Sequence, residues 1–295
     1  MVSWHGPGQG DTQGVYVKLF NSSTGENLTD DILVNGITED GQNFASVCCF
    51  PDNTGFVVVW NGRGVGDDWG IYAKVFNSTG FNQTDDILLN GYWYDLQQFP
   101  SVCCFPDSSG FVAAWQSAGI ESDGRDIYVK VFNKTCFNQT DDIKVNTNTT
   151  GDQESPSVCC FSNGYFVVAW QSEPTVDDWD VYVKLFDSSG NNLTDDIRVN
   201  IYTTNEQLDP SVCCFPDSSR FVVTWFGEGQ GETLTGVFFR MGHITPTIDA
   251  SLLLLGVLFI AQSGAGVSVP LLVGGILVVA VVAGVLVFWW FRRGR

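Results

Sequence analysis

Short apolar runs that alternate with period two recur along the chain, and one stretch is written four times. It reads SVCCFPDNTGFVVVW from Ser46, SVCCFPDSSGFVAAW from Ser101, SVCCFSNGYFVVAW from Ser157 and SVCCFPDSSRFVVTW from Ser211. The copies end on Trp60, Trp115, Trp170 and Trp225, spaced 55 residues apart. A fixed period of this size means stacked supersecondary units, each too small to bury its apolar face alone. Within a unit SVCCF reads as a first strand. PDNTG or PDSSG makes the turn, with proline presetting φ, Asp or Ser bonding the backbone and glycine taking positive φ. FVVVW is the second strand. A third follows at Val15, Ile71, Ile127, Val181 and Val237, and a fourth as ILVN, ILLN, IKVN and IRVN. In the third strand Tyr72, Lys74 and Phe76 share one face and Ile71, Ala73 and Val75 the other, so both faces are covered. No run in the repeats has helical period. The expectation is an all-β fold of tandem four-stranded antiparallel repeats.

Four strands in about 50 residues is the measure of a propeller blade. VSW at Val2 reads as the end of a second strand, with Trp4 in the place of Trp60. There are then five second and five third strands against four first and four fourth ones. A β-propeller of about five blades, closed by pairing of incomplete end blades across the seam, is the simplest fit. An open stack, or a piece of a longer array, is the alternative.

The pattern changes after the repeats, which span 1–243. Residues 244–250 read as a juxtamembrane linker, and 251–291 form an apolar membrane segment without a charged residue. As one helix that segment is about 60 Å long, twice a bilayer's hydrocarbon core. Pro270 divides it, which leaves Leu271 to Phe291 as a C-terminal transmembrane helix ending on Trp289 and Trp290. Ser251 to Ile260 is short for a span and reads as interfacial, with a two-helix hairpin as the alternative. Residues 292–295 form a basic tail, predicted to be cytoplasmic, which sets the repeats on the extracellular or lumenal side of a single-pass protein bound to the lipid bilayer. Eight N-x-S/T sequons agree, at Asn21, Asn27, Asn77, Asn82, Asn133, Asn138, Asn148 and Asn192. The first ten residues lack the basic and apolar regions of a signal peptide. Taken literally this describes a tail-anchored protein with cytosolic repeats; a truncated N-terminus is the preferred reading, because the chain starts within a strand.

Up to residue 250 the chain carries 33 acidic and 11 basic residues. Such a surface repels phosphate backbones, so no nucleic acid is expected as a partner. Eight of the nine cysteines are vicinal pairs at one point of the repeat: Cys48 and Cys49, Cys103 and Cys104, Cys159 and Cys160, Cys213 and Cys214. Neighbours on a strand face opposite ways, so a pair does not bridge internally. They read first as small apolar strand residues, next as disulfides between adjacent repeats, and last as a zinc site, because CxxC spacing is absent. Cys136 is left over and reads as an exposed thiol or an intermolecular bridge.

Chemistry is sparse. His5 and His243 are the only histidines, so no recurrent nucleophile and base exist. The TDD loops, with Asp67, Asp68, Asp177 and Asp178, offer oxygens of the kind calcium takes. They lack known calcium spacings, and read rather as partners of Lys18, Lys74, Lys130 and Lys184 or of backbone N–H groups. No cofactor is predicted. Gln42, Gln97, Gln153 and Gln207, each four residues before SVCC, are expected to bond backbone between units. Asp52 to Gly55 faintly resembles the Asp-box of sialidases but has one residue too many, and reads as a hairpin turn.

The pattern SV..F.D..GFVV.W......G.D..G.Y.K.F, over residues 2 to 241, resembles the tandem repeats of large bacterial surface and adhesin-like proteins. Those repeats carry PSVA, GGFVVTW and GIYAQRF at the same places. The resemblance implies an extracellular repeat module and no reaction; cysteine pairs in place of alanine and the sequons depart from it and suggest a eukaryotic secretory version. The leading expectation is a non-enzymatic binding or adhesion module for a glycan or protein ligand, contacted through Trp69, Trp93 and Trp179. A structural surface-coat protein and a propeller glycosidase working through paired carboxylates are the alternatives.

Overall fold

The computed structural model describes residues 1–92, 96–118, 124–175, 178–217, 219–228, 235–243 and 253–260. Every regular element among them is a strand. The first sheet holds β1 (Val2–Gly8), β2 (Asp11–Lys18) and β3 (Ile32–Leu33). The second holds β4 (Gln42–Cys49), β5 (Gly55–Gly64), β6 (Asp67–Asn77) and β7 (Ile87–Leu88). The third holds β8 (Gln97–Cys104), β9 (Gly110–Ala118), β10 (Arg125–Asn133) and β11 (Ile143–Lys144). The fourth holds β12 (Gln153–Cys160), β13 (Phe166–Thr175), β14 (Asp178–Phe186) and β15 (Ile197–Arg198). The fifth holds β16 (Gln207–Cys214), β17 (Arg220–Glu228), β18 (Thr235–His243) and β19 (Leu253–Ile260). Each sheet is an antiparallel meander in chain order, which gives a propeller-like repeat fold. The seam expected between end blades is not formed by strand pairing: β1 pairs with β2 alone among the described strands.

The fifth sheet finds its fourth strand in Leu253–Ile260, antiparallel to β18. Those residues had been assigned to the apolar membrane segment. The linker at 244–250, the main span at 271–291 and the tail at 292–295 lie outside the described residues, among which no helix is long and apolar enough to cross a membrane.

The sheets stack because their strands are apolar on both faces. From β5 and β6, Val57, Val59, Ile71, Ala73 and Val75 pack with Phe111, Ala113 and Trp115 of the third sheet. Val58, Trp60, Tyr72 and Phe76, on the opposite face, pack with Val15 and Val17 of the first. The same two-sided burial recurs along the array. Trp60, Trp170 and Trp225 stack on the aromatics opposite them in the third strand, Tyr72, Tyr182 and Phe238. Their indole N–H groups donate to the glutamine that opens the first strand of the same sheet, Trp60 to Gln42 at 2.9 Å, Trp170 to Gln153 at 3.2 Å and Trp225 to Gln207 at 2.8 Å. The glutamines therefore tie strands within a unit, not between units as expected. A buried indole needs an acceptor, and the nearest strand supplies it.

The turn after SVCC differs from expectation in one detail. Asn53 and Ser108 take the positive φ, at 59° and 60°. Gly55 and Gly110 are required instead for close approach: a Cβ there would lie 2.0 and 1.9 Å from the carbonyl oxygens of Phe76 and Phe132.

Candidate active site at the converging strand starts

The first strands lie side by side, β4 against β8, β8 against β12 and β12 against β16, so their starts converge. Each carries a bulge, between Asn43 and Ser46, Gln98 and Ser101, Glu154 and Ser157, and Leu208 and Ser211. Inside the bulges Phe44, Phe99, Ser155 and Asp209 have φ of 50°, 52°, 52° and 52°. A left-handed residue other than glycine costs on the order of 1 kcal/mol. Here it recurs in four sheets at one register. Pro100, Pro156 and Pro210 follow three of these residues, on an edge strand whose missing N–H breaks no ladder.

The bulge N–H groups are held from the preceding sheet. Phe44 donates to Nδ1 of His5 at 3.3 Å, Ser155 to Oε1 of Gln116 at 3.0 Å and Asp209 to Oε1 of Gln171 at 2.8 Å. The acceptor is always the residue after the second-strand tryptophan. At that place the second sheet has Asn61, one methylene shorter; it is 1% exposed, and neither amide atom has a partner. The bulged side chains of neighbouring sheets meet: the rings of Phe44 and Phe99 lie 4.1 Å apart and His5 lies 5.7 Å from Phe44. Ser155 and the exposed Asp209 continue the row.

A carboxyl group sits beside this row. Glu154, one residue before the third bulge, accepts from Arg125 Nη1 through Oε1 and from Gln171 Nε2 through Oε2 at 3.4 Å. Gln171 is also the acceptor for the Asp209 N–H, so one amide ties Glu154 to the backbone of Asp209. Burial pushes the Glu154 carboxyl above the ordinary range and nearby Asp152 adds to the shift, against the pull of Arg125 and Gln171. Glu154 is thus a half-buried carboxyl whose proton affinity is raised, the kind of group that can protonate a leaving oxygen.

Other described carboxylates bond within and between the sheets. Asp11, Asp67, Asp126 and Asp180 accept from Asn35, Asn90, Asn146 and Asn200. Those asparagines in turn accept the N–H of Val15, Ile71, Ile127 and Val181. In the TDD loops Asp31, Asp86, Asp142 and Asp196 pair with Lys18, Lys74, Lys130 and Lys184. Asp86, Asp142 and Asp196 also accept N–H from Gly36, Gly91 and Thr147 of the preceding sheet. Both parts of the sequence expectation for these loops hold. Among the described residues no group of three or more His, Cys, Asp or Glu side chains is placed to hold a metal. Asp52 accepts from Thr54 in its hairpin turn and pairs with Lys134 of the third sheet.

Of the predicted ligand aromatics, Trp69 is 40% exposed and Trp179 half-buried, each beside the hairpin of its own sheet, while Trp93 lies outside the described residues. Neither Trp69 nor Trp179 takes part in the row of bulged residues. Asn27, Asn82, Asn138, Asn148 and Asn192 are exposed. Asn21, Asn77 and Asn133 are half-buried, and their side chains accept turn N–H groups. Cys136 is not exposed as expected but 4% exposed, at φ 61° in the place of Gly80 and Gly190. Its side chain fills the interface of the second and third sheets, and burial pushes its thiol up to about 12.

No family model matches the sequence, and no curated protein is similar to it. Solved structures are similar in fold. An endo-1,4-beta-xylanase from Bacteroides thetaiotaomicron is 12% identical, with 86% of this chain and 90% of that one covered at a TM-score of 0.46. An endo-arabinase from the same organism is 13% identical, covering 80% and 87% at 0.48. An alpha-L-arabinofuranosidase from Lactobacillus brevis is 8% identical, covering 75% and 78% at 0.45. These likenesses concern the arrangement of strands. The matched structures are named as a xylanase, an arabinase and an arabinofuranosidase, whereas the sequence led to a non-enzymatic binding or adhesion module and no enzyme; those two expectations are set aside.

Proposed function

We propose that the sheets are blades of a propeller-like glycoside hydrolase, with Glu154 as proton donor and Asp209 as the second carboxyl group. The observation that carries this reading is the Glu154, Gln171 and Asp209 connection at the converging strand starts, where burial raises the proton affinity of Glu154 and Asp209 is exposed. Glycoside cleavage takes such a pair, and the apolar row of Phe44 and Phe99 suits the C–H face of a sugar. Display on the extracellular or lumenal side belongs to the same proposal and is supported by the five exposed sequon asparagines.

The test is release of reducing ends from a panel of neutral plant and bacterial polysaccharides by the full chain. Glu154→Gln and Asp209→Asn are each expected to lower the rate by about 10²-fold or more, with unfolding midpoints near that of the parent. No release from any polysaccharide, or undiminished release by Glu154→Gln, removes the proposal.

A further inference from the structure

The cysteine pairs are placed by the stacking of the first strands. Val102, Val158 and Val212 donate their N–H to the serine hydroxyls of Ser46, Ser101 and Ser157 in the preceding sheet, at 3.3, 3.1 and 3.1 Å. Two residues on, at the same offset, the N–H of Cys104, Cys160 and Cys214 is directed to the sulfur of Cys48, Cys103 and Cys159, at 3.1, 3.1 and 3.0 Å. The first cysteine of each sheet thus lies over the second cysteine of the next. The apolar layers give the same pairing independently: Cys48 with Cys104 between the second and third sheets, Cys103 with Cys160 between the third and fourth, and Cys159 with Cys214 between the fourth and fifth. All nine cysteines are thiols in the structure.

We propose that these thiols close three staggered disulfides, Cys48 to Cys104, Cys103 to Cys160 and Cys159 to Cys214, which staple each sheet to its successor. Cys49 and Cys213, exposed at the two ends of the series, have no counterpart in this pattern and stay reduced, as does buried Cys136. The oxidant is a disulfide such as oxidised glutathione. A thiolate attacks one of its sulfurs and expels a glutathione thiolate; the partner thiol, deprotonated, attacks the mixed disulfide and expels the second. Each closure reduces one oxidised glutathione to two thiols. Hydrogen bonds from Cys103 with Cys104, and from Cys103 with Cys214, hold Cys48 and Cys159 below the ordinary thiol range, so these two supply the first thiolates.

The experiment equilibrates the full chain in a glutathione buffer with the reduced form in excess, so that exposed thiols do not remain as mixed disulfides, blocks remaining thiols by alkylation and digests with trypsin without reduction. Cleavage after Arg63, Lys74, Arg125, Lys144, Lys184 and Arg198 puts each first strand on its own peptide. The expected result is a fall from nine blocked thiols to three, with all four first-strand peptides in one covalent species. Cys103→Ser is expected to split it into two species of two peptides, because only the middle staple is lost. Four separate peptides, whether fully reduced or bridged within a vicinal pair, would overturn the proposal. So would release of the Cys48 peptide alone from Cys103→Ser, the mark of Cys48 bonded to Cys103. None of these outcomes depends on hydrolase activity.

Discussion

Asn61 and Gln116 occupy the same place after a second-strand tryptophan, and one methylene separates a satisfied amide from an orphaned one. Gln116 reaches the Ser155 N–H of the next sheet, whereas Asn61 is buried with both amide atoms unpartnered. Asn61→Gln is therefore expected to bond the Phe99 N–H and to raise stability by about 1 kcal/mol, read as a higher denaturant midpoint. A lower midpoint would mean that the layer cannot take the added carbon. The repeated QS after tryptophan was visible in the sequence, but its partner was not, because the bulge that aims the donor N–H is a backbone event in a polar segment before SVCC. Glu154 escaped for the same reason: no other first strand has a glutamate at that place. Its raised pKa fixes a pH dependence. As the proton donor it works only while protonated, so kcat/KM is expected to fall as pH rises through its pKa, which burial holds above the ordinary carboxyl range. The same shift favours the folded state below the unfolded pKa, and that contribution is lost as pH rises through the folded one. In a pH profile of Asp209→Glu the alkaline limb should stay in place, since Glu154 and its surroundings are unchanged; a limb that moves with Asp209 would assign it to the wrong residue.

Strands interact here through staples that the sequence announces and burial grades. Lys184 is 2% exposed and donates to the Val145 carbonyl, Thr147 and Asp196, while the Lys18 and Asp31 side chains are 23% and 49% exposed. Removing one partner of a buried pair leaves an uncompensated charge, so Lys184→Met is expected to cost about 3 to 5 kcal/mol in urea unfolding. Lys18→Met should cost about 1 kcal/mol or less. Equal costs would show that neither burial nor the carbonyl contact of Lys184 sets the value. The pairing of TDD with lysine was legible because charge and spacing recur in every unit. The role of Leu253–Ile260 was not: an apolar run without charges has the same composition whether it enters lipid or adds an edge to β18. Cys136 misled for a related reason, since its alignment with glycine suggested a loop surface. A Cβ at Gly80 or Gly190 would meet Ile32 or Ile143 at 2.5 or 2.4 Å, so this place points into the layer between sheets.

At the scale of the molecule, each sheet buries one face on its predecessor and one on its successor, so stability is a sum of unit and neighbour terms. The middle sheets have two such neighbours. Among the described strands the first sheet has no counterpart of the other sheets' first strand, its β1 edge pairs only with β2, and none joins it to the fifth. An array of this kind opens from its ends, because an end sheet gives up one apolar layer and a middle one gives up two. Hydrogen exchange monitored by strand should therefore show β9 and β13 protected at least about tenfold longer than β2 and β17, the corresponding central strands of the end sheets and their neighbours in chain order. Oxidation of the three staples should slow exchange in β17, which one staple holds, and leave β2 as it was, because no staple reaches the first sheet. Equal protection in all five sheets would require the first and fifth to share a layer of their own, and the array would then have no ends from which to open.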